Sequence, residues 1–318
     1  MTDRVDQPPE QVHELAGRRA AARKANDYAT ADQLRDQITE LGWLVTDTPS
    51  GYDLVRATGD SPPGPSADQV WPDPAAIPTA GQQDGRVATV ALLIDGWPDD
   101  LRGCVAALLE HAPPGVVISA LDVGNTDSAG DVIEEIAARH PGRIETRHVA
   151  ASPGWSASRN ALLRADPGLV HVIMETSTIL TGDAITPLLT AVGVDGVVAA
   201  GWRGVDPDAD LRGFHDAGPG QVTALLGYLL AVRAGVAQEA GGFPAKARFY
   251  RNADLEFSLT LGSSGRLVVP AEPLPARQTR HRGYHDTDPE YRDRESLRNY
   301  RRVLELLRAR QGESTAGS

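Results

Sequence analysis

The sequence from Val87 to Asp127 reads VATVALLIDGWPDDLRGCVAALLEHAPPGVVISALDVGNTD. Val87–Ile94 and Val116–Leu121 are apolar runs of strand length, and Leu101–Glu110 between them has the spacing of a helix. Apolar runs without alternation are typical of strands buried on both faces, as in a parallel sheet covered by helices. The stretch therefore predicts a strand–helix–strand unit of an α/β domain.

The same alternation continues toward the C-terminus. Further strand-like runs are Ile144–Val149, Val170–Met174 and Val197–Ala200, and further helix-like segments are Asp131–Arg139, Ser156–Leu163 and Ala184–Val192. The pattern predicts one parallel sheet with helices on both faces. Ligands of such sheets bind at the carboxyl ends of the strands, near the point where the strand order reverses.

Polar residues directly follow four of these strands. The four segments are Asp95–Pro98, Asp122–Asp127, Ser152–Asn160 and Glu175–Thr178. Any one of them alone could cap a helix, as Asp127 or Ser156 could. Because the carboxyl ends of parallel strands share one edge of the sheet, their coincidence predicts a ligand site at that edge.

The composition is that of a globular protein and excludes several classes of function. The chain has 318 residues, a net charge of −12 and one cysteine, Cys104, so it forms neither an intrachain disulfide nor a thiolate zinc cluster. The acidic balance disfavours coating of nucleic acid. No apolar run approaches the ~20 residues that cross a bilayer, and Met1–Glu10 does not resemble a signal peptide. We therefore expect a cytoplasmic protein without a transmembrane segment.

The basic residues are almost all arginine, since lysine occurs only at Lys24 and Lys246. Arginine abundance here accompanies abundant Ala, Gly, Asp and Pro. It is therefore weak evidence for phosphate binding.

The N-terminal part predicts a small separate module. Residues 11–42 have the apolar spacing of two helices, the second capped by Asp27, and Trp43–Val45 and Tyr52–Val55 have the pattern of two short strands. Pro, Gly, Ser and Asp are abundant in the segment that follows, which is typical of a linker. The expected organisation is a disordered tail at 1–10, the module at 11–56, a linker at 57–86, an α/β domain at 87–310 and a disordered tail at 311–318.

This module resembles the C-terminal end of bacterial cysteinyl-tRNA synthetases. The run RRAAARKANDYATADQLRDQITELGWLVTDTPSG, residues 18–51, carries the likeness. The shared positions are Arg19, Ala22-Arg23, Asp27, Ala31-Asp32, Leu34-Arg35-Asp36, Gly42, Asp47-Thr48 and Gly51. In that family the segment belongs to a tRNA-interacting appendix, and the HIGH-like and KMSKS-like catalytic signatures are absent from the sequence. The resemblance implies docking of a protein or of tRNA through residues 11–56, and the acidic charge favours a protein.

The α/β domain resembles the inverting GT-A glycosyltransferases of family 2. Asp122–Asp127 is similar to their D-D-G-S-x-D motif, and Gly154–Asn160 is similar to G-x-x-x-A-R-N. Further similar stretches are Gly227–Arg233, Glu239–Pro244, Asn252–Ser258, His281–Tyr284 and Arg298–Tyr300. The likeness covers most of residues 87–305 and implies a Rossmann-like fold that binds a nucleotide-diphospho-sugar.

The resemblance also implies roles for individual residues. Asp95, Asp122, Arg159 and Glu175 are the expected contacts to the nucleotide-sugar donor. Asp254 is the expected base that deprotonates the acceptor hydroxyl. Trp202 and Arg203, which follow the fifth strand, are expected to line the pocket of an unknown acceptor.

The sequence departs from the family pattern at the metal site and beside the base. The D-x-D position reads Glu175-Thr176-Ser177, so Glu175 and His281 are the remaining candidates to bind a divalent cation, Mn²⁺ or Mg²⁺. Ala253 stands where the family has an acid. Asp254 could therefore be the base or only an acid in the first turn of a helix.

Two functions follow from these observations. One is an inverting glycosyltransferase with a weak metal site. The other is a catalytically degenerate protein of the same fold that binds tRNA or a protein through the N-terminal module. The altered D-x-D position favours the second function, and Asp254 with His281 favours the first.

Overall fold

The computed structural model describes residues 8–24, 30–31, 34–35, 37–38, 41, 43–48, 51–56, 70–80 and 86–316. The chain divides into two compact units, Met1–Gly64 and Pro65–Ser318. The predicted end of the N-terminal module at residue 56 stays a prediction. Asp27 and Gly42, the expected ends of the second helix, lie outside the described residues.

The small unit packs a helix against a β-hairpin. Helix α1 (Glu10–Lys24) precedes strands β1 (Trp43–Thr48) and β2 (Gly51–Arg56), which pair in antiparallel fashion. The hydrophobic core of this unit lies on the expected apolar positions. Its buried residues are Val12, Leu15, Ala16, Leu34, Ile38 and Trp43.

The large unit is built on a nine-stranded sheet in the order β12-β15-β9-β14-β7-β4-β5-β6-β3. Its strands are β3 (Val70–Trp71), β4 (Ala88–Ile94), β5 (Val116–Val123), β6 (Ile144–Val149), β7 (Val170–Met174), β9 (Val197–Gly201), β12 (Gly220–Val222), β14 (Leu229–Arg233) and β15 (Arg266–Val269). Outside this sheet lie β8 (Thr178–Leu180), β10 (Gly204–Pro207), β11 (Phe214–Ala217), β13 (Ala224–Leu225) and β16 (Ala276–Gln278).

Helices cover both faces of the sheet. They are α2 (Pro98–His111), α3 (Ala129–Arg139), α4 (Trp155–Arg164), α5 (Ile185–Gly193), α6 (Ala234–Glu239), α7 (Ala253–Leu261), α8 (Arg282–His285) and α9 (Pro289–Ala316). All seven residues of β4 are buried. Val90 and Leu92 belong to the core on one face, and Ala91 and Leu93 to the core on the other. Successive side chains of a strand point to opposite faces. Because both faces of β4 are covered, its apolar and polar residues do not alternate.

The expectation of a wholly parallel sheet is wrong at two strands, the edge strand β12, which runs antiparallel to β15, and the central strand β14. Strands β3, β6, β5, β4 and β7 are parallel, but β14 lies between β7 and β9 and runs antiparallel to both. Leu230 pairs with Ile173 on one side and with Gly201 on the other. The chain returns from β9 through short strands rather than through a crossover helix, and such a return gives an antiparallel neighbour.

The linker expected at 57–86 is wrong for residues 70–80. Strand β3 pairs with β6, and a short 3₁₀ helix, Pro74–Ala76, follows it. Ile77 is 4% exposed, and the Arg164 side chain donates to the carbonyl of Pro74 at 3.0 Å. The few apolar residues of the stretch therefore suffice to dock it. Residues 57–69 and 81–85 lie outside the described residues.

The tail expected at 311–318 is also corrected, because α9 continues to Ala316. This helix is rich in Arg, Glu and Leu, which are good helix formers. At the other end of the chain, α1 already begins at Glu10.

Candidate active site

A cleft of about 270 Å³ opens at the carboxyl ends of the central strands. The residues that line it are Leu93 near the end of β4, Asp95 just after β4, Val123 at the end of β5, Ser152 after β6 and Glu175 after β7. The site therefore lies at the edge where the polar segments of the sequence converge. Its opposite wall comes from residues 248–250 and from 281–291.

Arg159 lies beneath the cleft and holds Glu175. Its side chain is 0% exposed, and its Nη2 donates to Glu175 Oε1 at 2.9 Å. Its Nη1 donates to the carbonyl of Ala91 at 2.9 Å, and Nη2 also donates to that of Met174 at 3.3 Å. Arg159 was expected to contact the donor, but its position lets it act only through Glu175.

Asp95 reaches the cleft directly. Its side chain is exposed there, yet the surrounding protein withholds enough water to raise its pKa to about 6, with repulsion from Glu175 adding to the effect. Two acidic groups thus face the same cleft. Asp95 therefore carries a proton more readily near neutral pH than a surface aspartate does.

His281 closes the cleft from the C-terminal side. Its ring stacks on Tyr250 with a centroid distance of 4.5 Å and an angle of 11°, and the Tyr250 hydroxyl lies 3.4 Å from Nδ1. Its Nε2 lies 3.9 Å from Glu175 Oε2, which is too far for a hydrogen bond. The sequence predicted the proximity of His281 and Glu175, but not the part of Tyr250.

Asp254 lies in the first turn of α7, outside the residues that line the cleft. Its carboxylate accepts hydrogen bonds from the backbone N–H groups of Gly227 and Leu255, each at 3.0 Å. Burial raises the pKa of Asp254 to about 6; the two backbone hydrogen bonds oppose the rise, and Glu175 adds to it. The Asp254 side chain is half-buried, and the negative charge of Glu175 repels its carboxylate.

Asp122 points away from the cleft. Its side chain is almost fully buried, and its Oδ2 lies 3.1 Å from His148 Nδ1 and accepts from the backbone N–H of Asn125 at 3.2 Å. The other ring nitrogen of His148 lies 2.7 Å from Glu134 Oε1. Asp122 therefore stabilises the loop after β5 and does not reach a ligand in the cleft, contrary to the expectation.

Opposite charges stabilise the Asp122–His148–Glu134 cluster. Burial alone would lower the pKa of His148, but its hydrogen bonds with the two carboxylates outweigh that effect and raise the pKa to about 9. His148 is therefore an imidazolium between two carboxylates at neutral pH. Its spacing from Asp122 in the sequence gives no motif from which the contact could be predicted.

Trp202 and Arg203 form a separate surface beside Tyr228. The Arg203 guanidinium lies 4.7 Å from the Trp202 ring centroid and 6.0 Å from that of Tyr228. Neither residue lines the cleft. Burial raises the pKa of Tyr228, and repulsion from Asp254 adds to the rise. Because Gly227, next to Tyr228, donates its N–H to Asp254 at 3.0 Å, the two candidate acceptor residues lie on the side of the site that holds Asp254.

The C-terminal helix fixes the wall that carries Tyr250. Asn299 of α9 is fully buried, and its Nδ2 donates to the carbonyls of Phe249 at 2.8 Å and Arg251 at 2.9 Å. Arg302 of the same helix forms two 2.9 Å hydrogen bonds with Glu256 of α7. The resemblance singled out this helix, but only the structure shows that it positions the site.

The side chains of the cleft do not fit a divalent cation site. One oxygen of Glu175 is engaged by Arg159, and Ser177 supplies a hydroxyl where a second carboxylate would be needed. Within the part of the chain that the structure describes, no three His, Cys, Asp or Glu side chains are grouped to hold a metal ion. Glu175 and His281 thus remain a two-point donor set.

Comparison with known proteins identifies the N-terminal segment. Residues 6–51 match the family model of the cysteinyl-tRNA ligase anticodon binding domain. Cysteine–tRNA ligase 1 of Burkholderia lata is 46% identical over 56 residues, 17% of this chain and 12% of that protein. The cysteine–tRNA ligase of Heliobacterium modesticaldum is 57% identical over 43 residues, 14% of this chain and 9% of that protein. The chain thus spans about a tenth of the length of these relatives.

Solved structures resemble most of the chain in fold. GalNAc-T7 with UDP, GalNAc and Mn²⁺ has a TM-score of 0.55 at 15% identity, over 70% of this chain and 48% of that one. A mannosyltransferase of Pyrobaculum calidifontis in complex with GDP-Man and Mn²⁺ has a TM-score of 0.49 at 15% identity, over 78% of both chains. The large unit has the α/β fold of the GT-A glycosyltransferases, as the sequence predicted. Among the described helices, none is both long and apolar enough to cross a membrane.

Proposed function

We propose that the large unit binds a nucleotide-diphospho-sugar in the cleft and transfers its sugar, with inversion, to an acceptor hydroxyl. The observation that carries the proposal is the convergence of Asp95, Glu175 and His281 on one cleft at the carboxyl ends of the strands. The GT-A fold supports the class of donor. The sugar, the nucleoside and the acceptor are left open.

In this proposal Asp95 accepts hydrogen bonds from the nucleoside, because its exposed carboxylate comes directly after β4. Glu175 lies near the diphosphate and is held in place by its hydrogen bond with Arg159. Asp122 acts indirectly, since its contact with Asn125 shapes the loop after β5.

Asp254 is the proposed base. A carboxylate with a pKa of about 6 is ionised at neutral pH, but it takes up a proton more readily than an ordinary aspartate. Trp202 and Arg203 lie on the same side and form the proposed acceptor surface. Deprotonation of the acceptor hydroxyl there, with attack from behind the leaving group, gives inversion.

We propose that donor binding depends only weakly on a divalent cation. The related structures were solved with Mn²⁺. If a cation binds here, Glu175 and His281 would hold it, and it would offset the charge of the departing nucleoside diphosphate. Because only these two side chains could coordinate the cation, we propose that the site also works without a cation.

A thermal-shift panel of UDP-, GDP- and dTDP-sugars, each with Mn²⁺ and with EDTA, tests the proposal. We expect one nucleoside series to raise the melting temperature, and Asp95→Ala to reduce that rise. Glu272→Gln, an exposed acidic position away from the cleft, is the control. Absence of any shift under both conditions would contradict donor binding.

The second candidate function is a degenerate transferase fold that binds a partner. It is favoured by one observation: both oxygens of Asp254 accept backbone hydrogen bonds, as those of a structural acid would. The proposed partner of residues 11–56 is a protein, with tRNA as the competing possibility. Arg19, one of the matched basic positions, is 3% exposed and is therefore unsuited to contact phosphate. A gel shift with tRNA at low salt, and its loss at high salt, would favour tRNA. Location in the cytoplasm stays a prediction.

A further inference from the structure

One arginine of the cleft has no ion-pair partner among the residues that the structure describes. Two arginine side chains line it, Arg248 and Arg282. Arg282 lies 3.3 Å from Asp100 and is thereby neutralised. Arg248 is exposed and forms no ion pair with a residue that the structure describes. Its guanidinium is therefore available to an anionic ligand.

The backbone of Arg248 is held tightly against the first turn of α4. The N–H of Trp155 donates to the Arg248 carbonyl at 2.9 Å, and that of Ser156 donates to the Ala247 carbonyl at 3.2 Å. Gly154 has a φ of +153°, and a Cβ at this position would lie 2.6 Å from the Arg248 Cα. Glycine is therefore required there, and the backbone of Arg248 has a fixed position on the cleft wall.

Two further groups on the cleft wall are polar and unsatisfied. Ser177 Oγ and His281 Nε2 are buried and have no hydrogen-bond partner among the described residues. The carbonyl of Ser177 accepts from the backbone N–H of Thr279 at 2.7 Å, which holds the segment leading to His281 beside Ser177. Buried polar groups without protein partners are rare, and they indicate a place that a ligand or water satisfies.

We propose that Arg248 supplies the positive charge that holds the diphosphate of the donor, in place of a divalent cation. The proposal rests on the proposed function for the identity of the donor. It is based on the poor fit of the cleft side chains to a metal ion. One oxygen of Glu175 accepts a hydrogen bond from Arg159, and Ser177 stands where a second carboxylate would be needed. A planar guanidinium can bind two phosphate oxygens at once and keeps its charge at all relevant pH values.

The experiment measures binding in EDTA by calorimetry, with two probes. One probe is inorganic pyrophosphate, and the other is the set of nucleoside diphosphates UDP, GDP and dTDP. The proteins are the full chain and the variants Arg248→Gln, Ser177→Ala and Lys246→Gln. Lys246→Gln removes the same charge two residues away from Arg248, outside the cleft lining, and is the matched control.

We expect wild type and Lys246→Gln to bind pyrophosphate and one nucleoside diphosphate equally well in EDTA. Arg248→Gln should weaken both by at least about tenfold, the loss of one charge-assisted hydrogen bond. Ser177→Ala should weaken them less. Because Arg248 is exposed, its replacement leaves the core untouched, and an unchanged melting temperature confirms that the variant is folded.

The outcomes separate the two proposals. If nucleoside diphosphates bind only with Mn²⁺, or Arg248→Gln binds as wild type does, the role of Arg248 is overturned and the donor site survives. If pyrophosphate binds through Arg248 but no nucleotide does, the anion site survives and the proposed function fails. If nothing binds with or without Mn²⁺, both are overturned.

Discussion

The guanidinium of Arg159 lies 2.9 Å from the carboxylate of Glu175, with the arginine wholly buried and the glutamate at the floor of the cleft. The pair links the core beneath β4 and β7 to the site. It fixes the Glu175 side chain and leaves it only one free oxygen. The geometry therefore explains at once why Glu175 is well placed for a polar ligand and why it is a poor metal ligand.

Replacement of Arg159 should be strongly destabilising. Arg159→Met leaves Glu175 and two strand carbonyls without their partner, and breaking a buried ion pair from one side costs about 3–5 kcal/mol. Arg277→Met, at an exposed arginine of β16, should have little effect. Urea denaturation measures the difference. Equal midpoints for the two variants would show that the pair is not important for stability.

His148 should make the stability of the large unit depend on pH. Its pKa in the folded state is about 9, above its ordinary value of 6.5. The stabilisation is therefore fully present below pH 6.5 and is lost as the pH rises through 9, a change of roughly 2–3 kcal/mol. The free energy of unfolding at pH 6.5 and 9.5 measures it. His148→Gln should be less stable at pH 6.5 and should lack this part of the decline.

Asp254→Asn should leave donor binding nearly intact and remove transfer, because asparagine keeps the shape but cannot accept the proton of the acceptor. In wild type, turnover should rise with pH through about 6 and then level off, since the base must be ionised. Release of nucleoside diphosphate over a pH series is the measurement. Full turnover by Asp254→Asn would show that Asp254 is only a structural acid of α7.

Ser177→Asp should create a dependence on manganese. A second carboxylate would then stand two residues from Glu175 on the cleft wall and give the ion one more oxygen ligand. Donor affinity should increase with Mn²⁺ in this variant, whereas Ser177→Asn, of equal size but uncharged, should show no increase. A variant with no response to Mn²⁺ would mean that Glu175 and His281 are not placed to share an ion.

Much of this architecture can be predicted from the sequence because the strands are buried. The run at Val87–Ile94 is apolar at every position that β4 buries except Thr89, so its length and type follow directly. Strand β14 is different: its four apolar residues, Leu229–Val232, carry no information about direction. Direction depends on the short return from β9, a tertiary feature that local patterns do not record.

The candidate site was predictable where residues follow strands and unpredictable where contacts join distant segments. Asp95 and Glu175 come directly after β4 and β7 and both reach the cleft. Asp122, in contrast, lies within β5, and its partner His148 is 26 residues farther along the chain; this contact holds the carboxylate away from the cleft. Arg248 is one of many arginines, and no pattern in the sequence distinguishes it.

Calorimetric titration of the wild-type chain with UDP-, GDP- and dTDP-sugars in EDTA measures whether the cleft binds a nucleotide-sugar donor without a metal ion. We expect saturable binding of one nucleoside series at one site per chain, with Asp95→Ala weakening it by about tenfold or more, as loss of a hydrogen-bonded charge should. Heat of binding that Asp95→Ala leaves unchanged, or no binding of any donor in EDTA or in Mn²⁺, would contradict this expectation.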